Sequence, residues 1–425
     1  MCQASGAADV LVIGLGYVGL PLAREAVRAG FRVTGHDTLA DIAQGLNEGR
    51  SHVDDLSDAQ VTQMVMAGFR AVWDETGLTP ADVIVICVPT PLSVADGPDL
   101  SAVRAAAETA GRLVKAGTLV SLESTTYPGT TDEIVRPILE KASGLTAGLD
   151  FSLAFSPERI DPGNPYFGLR NTPKVVGGVT PSCADAAGRF YEKICDHVVR
   201  AKSAREAEMA KLLENTYRHV NIALVNEMAV FCRELGVDLW DAIRCASTKP
   251  FGYQAFYPGP GVGGHCIPID PNYLSYKVRT LGYPFRFVEL AQEINGRMPG
   301  YVADRAADLL NRHARAVNGA SILLLGVTYK KDIADQRESP ARPLARKLRA
   351  RGADISYHDP YVPRWLVDDA PVTRREDLAA ALAEADLVIL LQPHSCYDPA
   401  SLADSARLLL DTRGVVPAVP GREAL

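Results

Sequence analysis

One cysteine of this chain lies where a thiolate could do chemistry, in the run Gly261-Val262-Gly263-Gly264-His265-Cys266-Ile267-Pro268-Ile269-Asp270. Glycines let backbone approach a ligand closely and turn N–H groups toward anionic oxygens. A thiolate beside them could attack an electrophilic carbon and hold it covalently. Asp270, four residues on, could take up a proton. The same residues could also form a tight turn around a cysteine that acts as a small hydrophobe. The rest of the chain has to decide.

A source of electrophile lies at the N-terminal end. Val10-Leu11-Val12-Ile13 is an apolar strand run that enters Gly14-Leu15-Gly16-Tyr17-Val18-Gly19, and helical periodicity follows from Leu20 to Ala29. Phe31-Arg32-Val33-Thr34 reads as a second strand, closed by Asp37. In such a unit the first glycine makes the turn and the second lets backbone reach a pyrophosphate. The third lets helix pack on strand, and an acid roughly 20 residues on holds the ribose hydroxyls. Gly14, Gly16, Tyr17, Val18, Gly19 and Asp37 are therefore expected to bind a dinucleotide. Asp37 would repel a 2′-phosphate, and the neutral Thr38 follows it, so the expected cofactor is NAD rather than NADP.

The elements that must position these residues follow from the pattern. Strands are expected near 9–13, 31–35, 83–88, 118–123 and 151–155, with helices between them such as Ser101 to Lys115, which makes a doubly wound parallel sheet. A second set follows: strand Ser321 to Gly326, basic amphipathic helix Ser339 to Arg351, and strand Ala353 to Tyr357 leading to Asp359. Ala81-Asp82-Val83-Ile84-Val85 is echoed by Ala385-Asp386-Leu387-Val388-Ile389. Between the two sets, Ser203 to Leu235 predicts one helix of roughly 50 Å, with Lys211, Asn215 and Arg218 on one face. The predicted fold is α/β: two Rossmann-like doubly wound parallel-sheet domains joined by a long central helix. The expected boundaries are 1–200 for the NAD domain, 201–300 for a central helical and dimerisation domain carrying the cysteine loop, and 301–425 for a second Rossmann-like domain.

Composition narrows the partners. The 425 residues are 47% hydrophobic and 22% charged, enough for two or three cores. A net charge of −7 speaks against nucleic acid, whose phosphates want a basic face. The most apolar run, Val83 to Val88, falls well short of the roughly 20 residues of a membrane span. The eight cysteines (2, 87, 183, 195, 232, 245, 266 and 396) form no CxxC pairs, and no secretory leader is visible, so a reducing cytoplasm is expected, without disulfides. The histidines show no ligand spacing, and no catalytic metal is expected.

In order along the chain stand Gly14 to Gly19, Cys87-Val88-Pro89-Thr90-Pro91, Ser124-Thr125, Ser156-Pro157-Glu158-Arg159, Lys211 with Asn215, and the cysteine loop. Tyr329-Lys330-Lys331-Asp332, Asp335 and Arg337-Glu338-Ser339-Pro340 complete the series. Over nearly its whole length the chain resembles the nucleotide-sugar 6-dehydrogenases, which act on UDP-glucose, GDP-mannose and UDP-N-acetylhexosamines. The resemblance implies an N-terminal NAD domain and a C-terminal nucleotide-sugar domain, a homodimer formed through the long helix, and oxidation of a sugar C6 alcohol to a carboxylate with two NAD⁺ per turnover.

It also implies roles. Asp270, directly or through water, would take the hydroxyl proton in the first oxidation; Cys266 would add to the aldehyde and carry it through thiohemiacetal to thioester. Lys211 and Asn215 would stabilise oxyanions, and Glu158, with Thr125 helping to hold the water, would promote hydrolysis. Pro89, Thr90, Thr125 and Arg337 match NAD-contacting positions. Glu158, Arg159, Ile160, Lys211, Asn215, Arg218, Tyr257, Gly261, Gly263, Tyr329, Lys330 and Arg413 match positions that contact the nucleotide sugar. Thr126-Tyr127 stands where Val-Pro is usual, and Ile42 replaces a usual basic residue after Asp37. Thr248 to Tyr257 lacks the His-x-Arg of the N-acetylmannosamine enzymes and looks more like the branch acting on gluco-configured UDP sugars. No residue marks an acetamido pocket, so UDP- or TDP-glucose is the favoured substrate. UDP-N-acetylglucosamine is the alternative, and a two-electron hydroxy-acid dehydrogenase or a non-catalytic NAD-binding protein would be a different class.

Overall fold

The structure, a computed structural model, describes residues 7–92, 97–161, 164, 166–417 and 419–425, so Cys2 lies outside the described residues. The chain divides into two compact units: Met1–Glu214 with Asn272–Gly282, and Asn215–Pro271 with Tyr283–Leu425.

Eight strands build the first unit: β1 (Asp9–Ile13), β2 (Arg32–His36), β3 (Arg70–Val72), β4 (Val83–Ile86), β5 (Leu119–Leu122), β6 (Ser152–Phe155), β7 (Lys174–Gly178) and β8 (Val198–Arg200). They lie in the order β3-β2-β1-β4-β5-β6-β7-β8. β6 and β7 pair antiparallel, and every other neighbouring pair is parallel. Covered on both faces, such strands read as continuous apolar runs; all four residues of Val83–Ile86 are buried. Helix Gly19–Arg28 returns over the sheet with Leu20, Leu22, Ala23 and Ala26 buried. The strand order reverses between β1 and β4, where doubly wound sheets open a crevice for ligands at the strands' C-terminal ends.

The predicted long helix spans Ala204–Glu234, about 46 Å of axis, beginning in the first unit and ending in the second.

The second unit holds β9 (Ser321–Leu325), β10 (Asp354–His358), β11 (Leu366–Val367), β12 (Ala370–Pro371), β13 (Thr373–Arg374), β14 (Leu387–Leu390), β15 (Leu409–Asp411) and β16 (Arg422–Ala424). β13-β10-β9-β14-β15-β16 form a parallel sheet. β11 and β12 are an antiparallel hairpin whose two turn residues, Asp368 and Asp369, both have positive φ, as a tight hairpin turn of matching twist requires. The basic helix is Ala341–Ala350, with Ala341, Leu344, Ala345 and Leu348 turned inward at helical spacing. It starts just after Pro340, which has no N–H to give to a preceding turn. The two Rossmann-like sheets and the long helix are the architecture expected from the sequence.

Leu324 lies in the middle of β9 with no exposed surface. Leu324→Ala should cost about 2–5 kcal/mol and Leu324→Met less than about 1.5 kcal/mol. Urea unfolding followed by tryptophan fluorescence separates the two, and equal midpoints would contradict this account of the core.

Candidate active site

In the first unit each glycine of the turn has its own reason. Gly14 has φ +91°, and a Cβ on it would stand 2.6 Å from the Cys87 carbonyl oxygen. A Cβ on Gly19 would stand 1.8 Å from the Gly14 carbonyl oxygen, so only glycine lets the helix start this close to the strand. Gly16 has nothing within 4 Å of the same position, which leaves its backbone open to a ligand. No side chain caps the N-terminus of Gly19–Arg28, where Val18 precedes the first turn; its N–H groups and dipole suit a phosphate. Asp37 follows β2 directly and accepts the Leu15 N–H at 3.1 Å and the Leu39 N–H at 3.1 Å, so its carboxylate is held against the glycine turn. These residues fit a dinucleotide.

Further along the same strand ends, Thr90 is buried three residues past Cys87, and the Ser124 hydroxyl donates to the Val88 carbonyl at 2.7 Å. Thr125 is half-buried beside it. The altered Thr126-Tyr127 pair has a visible use: the Tyr127 ring lies 6.3 Å from that of Tyr276 and under the Lys277 ammonium, 5.0 Å away. Behind that loop Glu208, on the long helix, accepts the Gly129 N–H at 2.6 Å, the Thr131 N–H at 2.9 Å and the Thr131 hydroxyl at 2.7 Å. Burial lifts its carboxyl to about 7, with the Thr131 and Gly129 donors pulling the other way. Nothing in the local sequence singles out Glu208, since its partners are 77 and 79 residues away.

Glu158 follows β6. Its Oε1 accepts the N–H groups of Arg159 and Ile160, both at 2.6 Å, and its Oε2 lies 3.4 Å from the Lys174 ammonium. The Arg159 guanidinium instead pairs with Glu214 at 2.6 Å and donates to the Pro173 carbonyl at 2.6 Å. Ile160 packs against the core. Lys211 is buried on the long helix.

In the second unit the buried Asn215 amide donates to Asp270 Oδ2 at 2.6 Å. Asp270 opens a helix, and its N–H donates to the Cys266 carbonyl at 2.9 Å, which sets the exposed Cys266 one turn before it. The structure thus brings Asn215, Asp270 and the cysteine loop together. The buried stripe of the long helix continues through His219, however, and Arg218 is exposed at its edge.

The loop glycines make room for protein. A Cβ on Gly263 would come within 2.7 Å of Tyr329 Cβ and of the Glu338 carbonyl oxygen; one on Gly264, with φ +86°, within 2.7 Å of the Tyr329 ring. Gly261 has φ +131° and faces Pro340. Tyr329 in turn donates its N–H to the Asp335 carbonyl, and its own carbonyl accepts from Gln392 at 2.6 Å. Lys330 is half-buried beside it. Tyr257 stacks on Trp240, with ring centroids 5.6 Å apart. Arg413 donates to the Leu391 carbonyl at 2.7 Å and lies against Gly259; desolvation drops its pKa to about 10. Arg337 is paired side-on with Asp335, at 3.0 and 2.6 Å. A cavity of about 410 Å³ opens beside Gly261 and Val262, lined also by His219, Asn295 and Arg342. Burial takes His219 down to about 4, so it is neutral at pH 7. Among the described residues no group of His, Cys, Asp and Glu is arranged to hold a metal ion, and no helix is long and apolar enough to cross a membrane.

A glycine turn and ribose acid on a doubly wound sheet, with a long helix and a second Rossmann-like sheet following in sequence, define a dinucleotide-dependent dehydrogenase of two sheets. The chain belongs to the UDP-glucose/GDP-mannose dehydrogenase family: it matches that family's NAD binding domain over residues 8–195, its central domain over 205–297 and its UDP binding domain over 323–418. The UDP-N-acetyl-D-glucosamine 6-dehydrogenase of Pseudomonas aeruginosa is 35% identical across 83% of both chains. The solved UDP-D-ManNAc dehydrogenase of Pyrococcus horikoshii shares 32% identity, with a TM-score of 0.89 over 98% of each chain. A UDP-glucose dehydrogenase structure from Pyrobaculum islandicum gives 27% identity and a TM-score of 0.85 over 98% of this chain and 96% of its own. The cofactor of the first unit is NAD, and the substrate of the family is a nucleotide sugar.

Two predictions follow from this geometry. Asp37→Ser should weaken NAD binding at least tenfold and narrow the preference over NADP, read by fluorescence titration of both; unchanged selectivity would remove Asp37 from the ribose site. For Glu208, a folded-state value near 7 against an ordinary 4.5 means that its contribution to stability is full below about 4.5 and is lost as pH rises through about 7. Glu208→Gln sets an amide NH₂ against a backbone N–H and should cost about 1–3 kcal/mol. The gap from wild type, measured by thermal melts from pH 5 to 9, should narrow with rising pH.

Proposed function

We propose that the chain oxidises a UDP-linked hexose at C6 to the uronic acid, by four electrons, through a covalent intermediate on Cys266. The observation that carries this reading is the buried Asn215–Asp270 hydrogen bond at 2.6 Å, one helical turn from an exposed cysteine. A buried aspartate held at one oxygen is an oriented base, and a two-electron alcohol dehydrogenase has no use for a cysteine beside it.

Gly14 to Gly19, Asp37, Pro89 and Thr90 would hold NAD, which would supply the hydride acceptor for each oxidation. Asp270 takes the C6 hydroxyl proton in the first. The Cys266 thiolate then adds to the aldehyde carbon, and Lys211 and Asn215 supply a cation and an amide donor to the resulting oxyanion, each worth about 3 kcal/mol in comparable sites. Loss of the second hydride leaves a thioester. Glu158 takes a proton from the water that adds to the acyl carbon, with Thr125 helping to hold that water; the C–S bond breaks and the thiolate returns. Arg159, Ile160, Arg218, Tyr257, the Gly261 and Gly263 backbone, Tyr329, Lys330 and Arg413 are assigned to the nucleotide sugar, and Arg337 to NAD.

Sequence reading favours glucose only because no acetamido pocket is recognisable. The relatives named for 2-acetamido sugars are 35% and 32% identical, against 27% for one named for glucose, and we read the hexose as an N-acetylhexosamine. A homodimer is supported by the exposed Leu213, Tyr217, Leu224 and Phe231 along one side of the long helix. The seven described cysteines are all free thiols, which suits a cytoplasmic location.

NADH formation on UDP-N-acetylglucosamine, UDP-N-acetylmannosamine, UDP-glucose and TDP-glucose, side by side, tests the substrate. Two NADH per uronate are expected; one NADH would make this a two-electron enzyme, and NAD binding without turnover a non-catalytic protein. Cys266→Ser should release no uronate at an appreciable rate, and rapid uronate production by it would exclude covalent catalysis. Lys211→Ala should lower kcat more than it raises KM.

A further inference from the structure

Lys174 is the most deeply buried ammonium near the assigned chemistry, with 3% of its side chain exposed. It opens β7, next to the C-terminal ends of β5 and β6. Its amine lies 2.8 Å from Glu123 Oε2 and 3.4 Å from Glu158 Oε2. Glu123 is fully enclosed, and its other oxygen accepts the Tyr191 hydroxyl at 2.6 Å, which in turn lies 2.8 Å from the Ser121 hydroxyl. One ammonium therefore serves two carboxylates, one sealed in and one, Glu158, 13% exposed. We infer that Lys174 is the positioning residue of Glu158, fixing its second oxygen for its part in hydrolysis.

A buried lysine needs one matching charge, and Glu123 already supplies it; a well-packed apolar pair would serve stability as well. The structure adds a second carboxylate, and the cluster reaches solvent at that end. Glu158 is held twice over. Two N–H donors fix Oε1, and the ammonium directs Oε2. The other groups around it do not replace the ammonium. Arg159 is turned to Glu214 and Pro173. Burial pushes the Cys87 thiol well above its usual range and that of Cys195 to about 12, so both are neutral at pH 7. Burial works against a charged Lys174, but Glu123 and Glu158 outweigh it and raise its pKa. Burial lifts Glu123, with Lys174 and the Tyr191 hydroxyl pulling it back.

This inference rests on the assignment of Glu158 to thioester hydrolysis. The step balances as water oxygen to acyl carbon, water proton to Glu158, and C–S bond to departing thiolate. Two variants should move it in opposite directions. Glu123→Gln keeps a group for the Tyr191 hydroxyl and leaves the ammonium to Glu158 alone, so the acid limb of hydrolysis against pH should fall by up to about one pH unit. Lys174→Met with Glu123→Gln removes both sealed charges together, so the interior stays neutral while Glu158 loses its cation. The limb should then rise by about one pH unit, hydrolysis should slow roughly tenfold at pH 7, and the acyl adduct on Cys266 should accumulate, read by intact-protein mass spectrometry in single turnover. Lys174→Arg should restore most of the rate.

Limbs that stay in place, or that move the same way in both variants, would overturn the inference, as would a folded double variant with wild-type hydrolysis. Should the double variant not fold, the downward shift in Glu123→Gln decides alone. The wild-type enzyme is the control for the underlying reading: if it forms no adduct and no uronate, the proposed chemistry fails, whereas a normal wild type with unchanged variants removes only the role of Lys174.

Discussion

No side chain fits between Gly14 and Gly19, where a Cβ would meet a carbonyl oxygen at 1.8 Å, and the first unit is arranged around that approach. It sets helix Gly19–Arg28 hard against β1, brings its uncapped N-terminus to the crevice, and leaves the open side of Gly16 facing outward. Four further assigned positions then need only to lie past the end of a parallel strand. Asp37 follows β2, Thr90 follows β4, Thr125 follows β5 and Glu158 follows β6. One steric fact at two glycines and one rule about where doubly wound sheets bind ligands account for the placement of these four candidate positions.

The second unit uses glycine differently. Gly263 and Gly264 are pressed onto Tyr329, Gly259 onto Arg413, and Gly326 onto Gln392. The cysteine loop is thus clamped by turns at 329–340 that are some 65 residues away in sequence. The nucleophile proposed at Cys266 would gain from such packing, because a nucleophile must sit within a fraction of an ångström of its working position. The sequence makes the glycines look like space for a ligand. The structure shows that part of that space belongs to an aromatic ring.

How far the molecule was legible follows from where each signal resides. Apolar runs bounded by turn residues locate β1, β2, β4, β5 and β6, and the glycine turn with Asp37 identifies the cofactor, because these signals are local. The three-residue strands β3 and β8 are too short to carry a period. Glu208, Glu123 and Lys174 escape for another reason: each is one charged residue in an apolar setting, with partners 16 to 79 positions distant, and only the fold reveals that they meet. At Arg218 helical spacing and burial part company. Helical spacing places it beside Lys211 and Asn215, yet at the margin of the buried stripe a long charged side chain keeps to solvent.

The distribution of charge bears on how an acidic protein receives an anion. A sugar diphosphate approaches a chain of net charge −7, and two of the cations assigned to it or to NAD are already engaged: Arg159 with Glu214, and Arg337 with Asp335. Arg413 is desolvated against backbone carbonyl and loop. Prior pairing lowers the attraction each arginine exerts at a distance and raises the precision with which its planar head is presented. Long-range steering is thereby given up for orientation. For the four-electron oxidation proposed above that would be the useful exchange, because the same carbon would have to stay in register with its bases and its nucleophile through two hydride losses and one hydrolysis, and a site that merely bound tightly would gain nothing at the later steps.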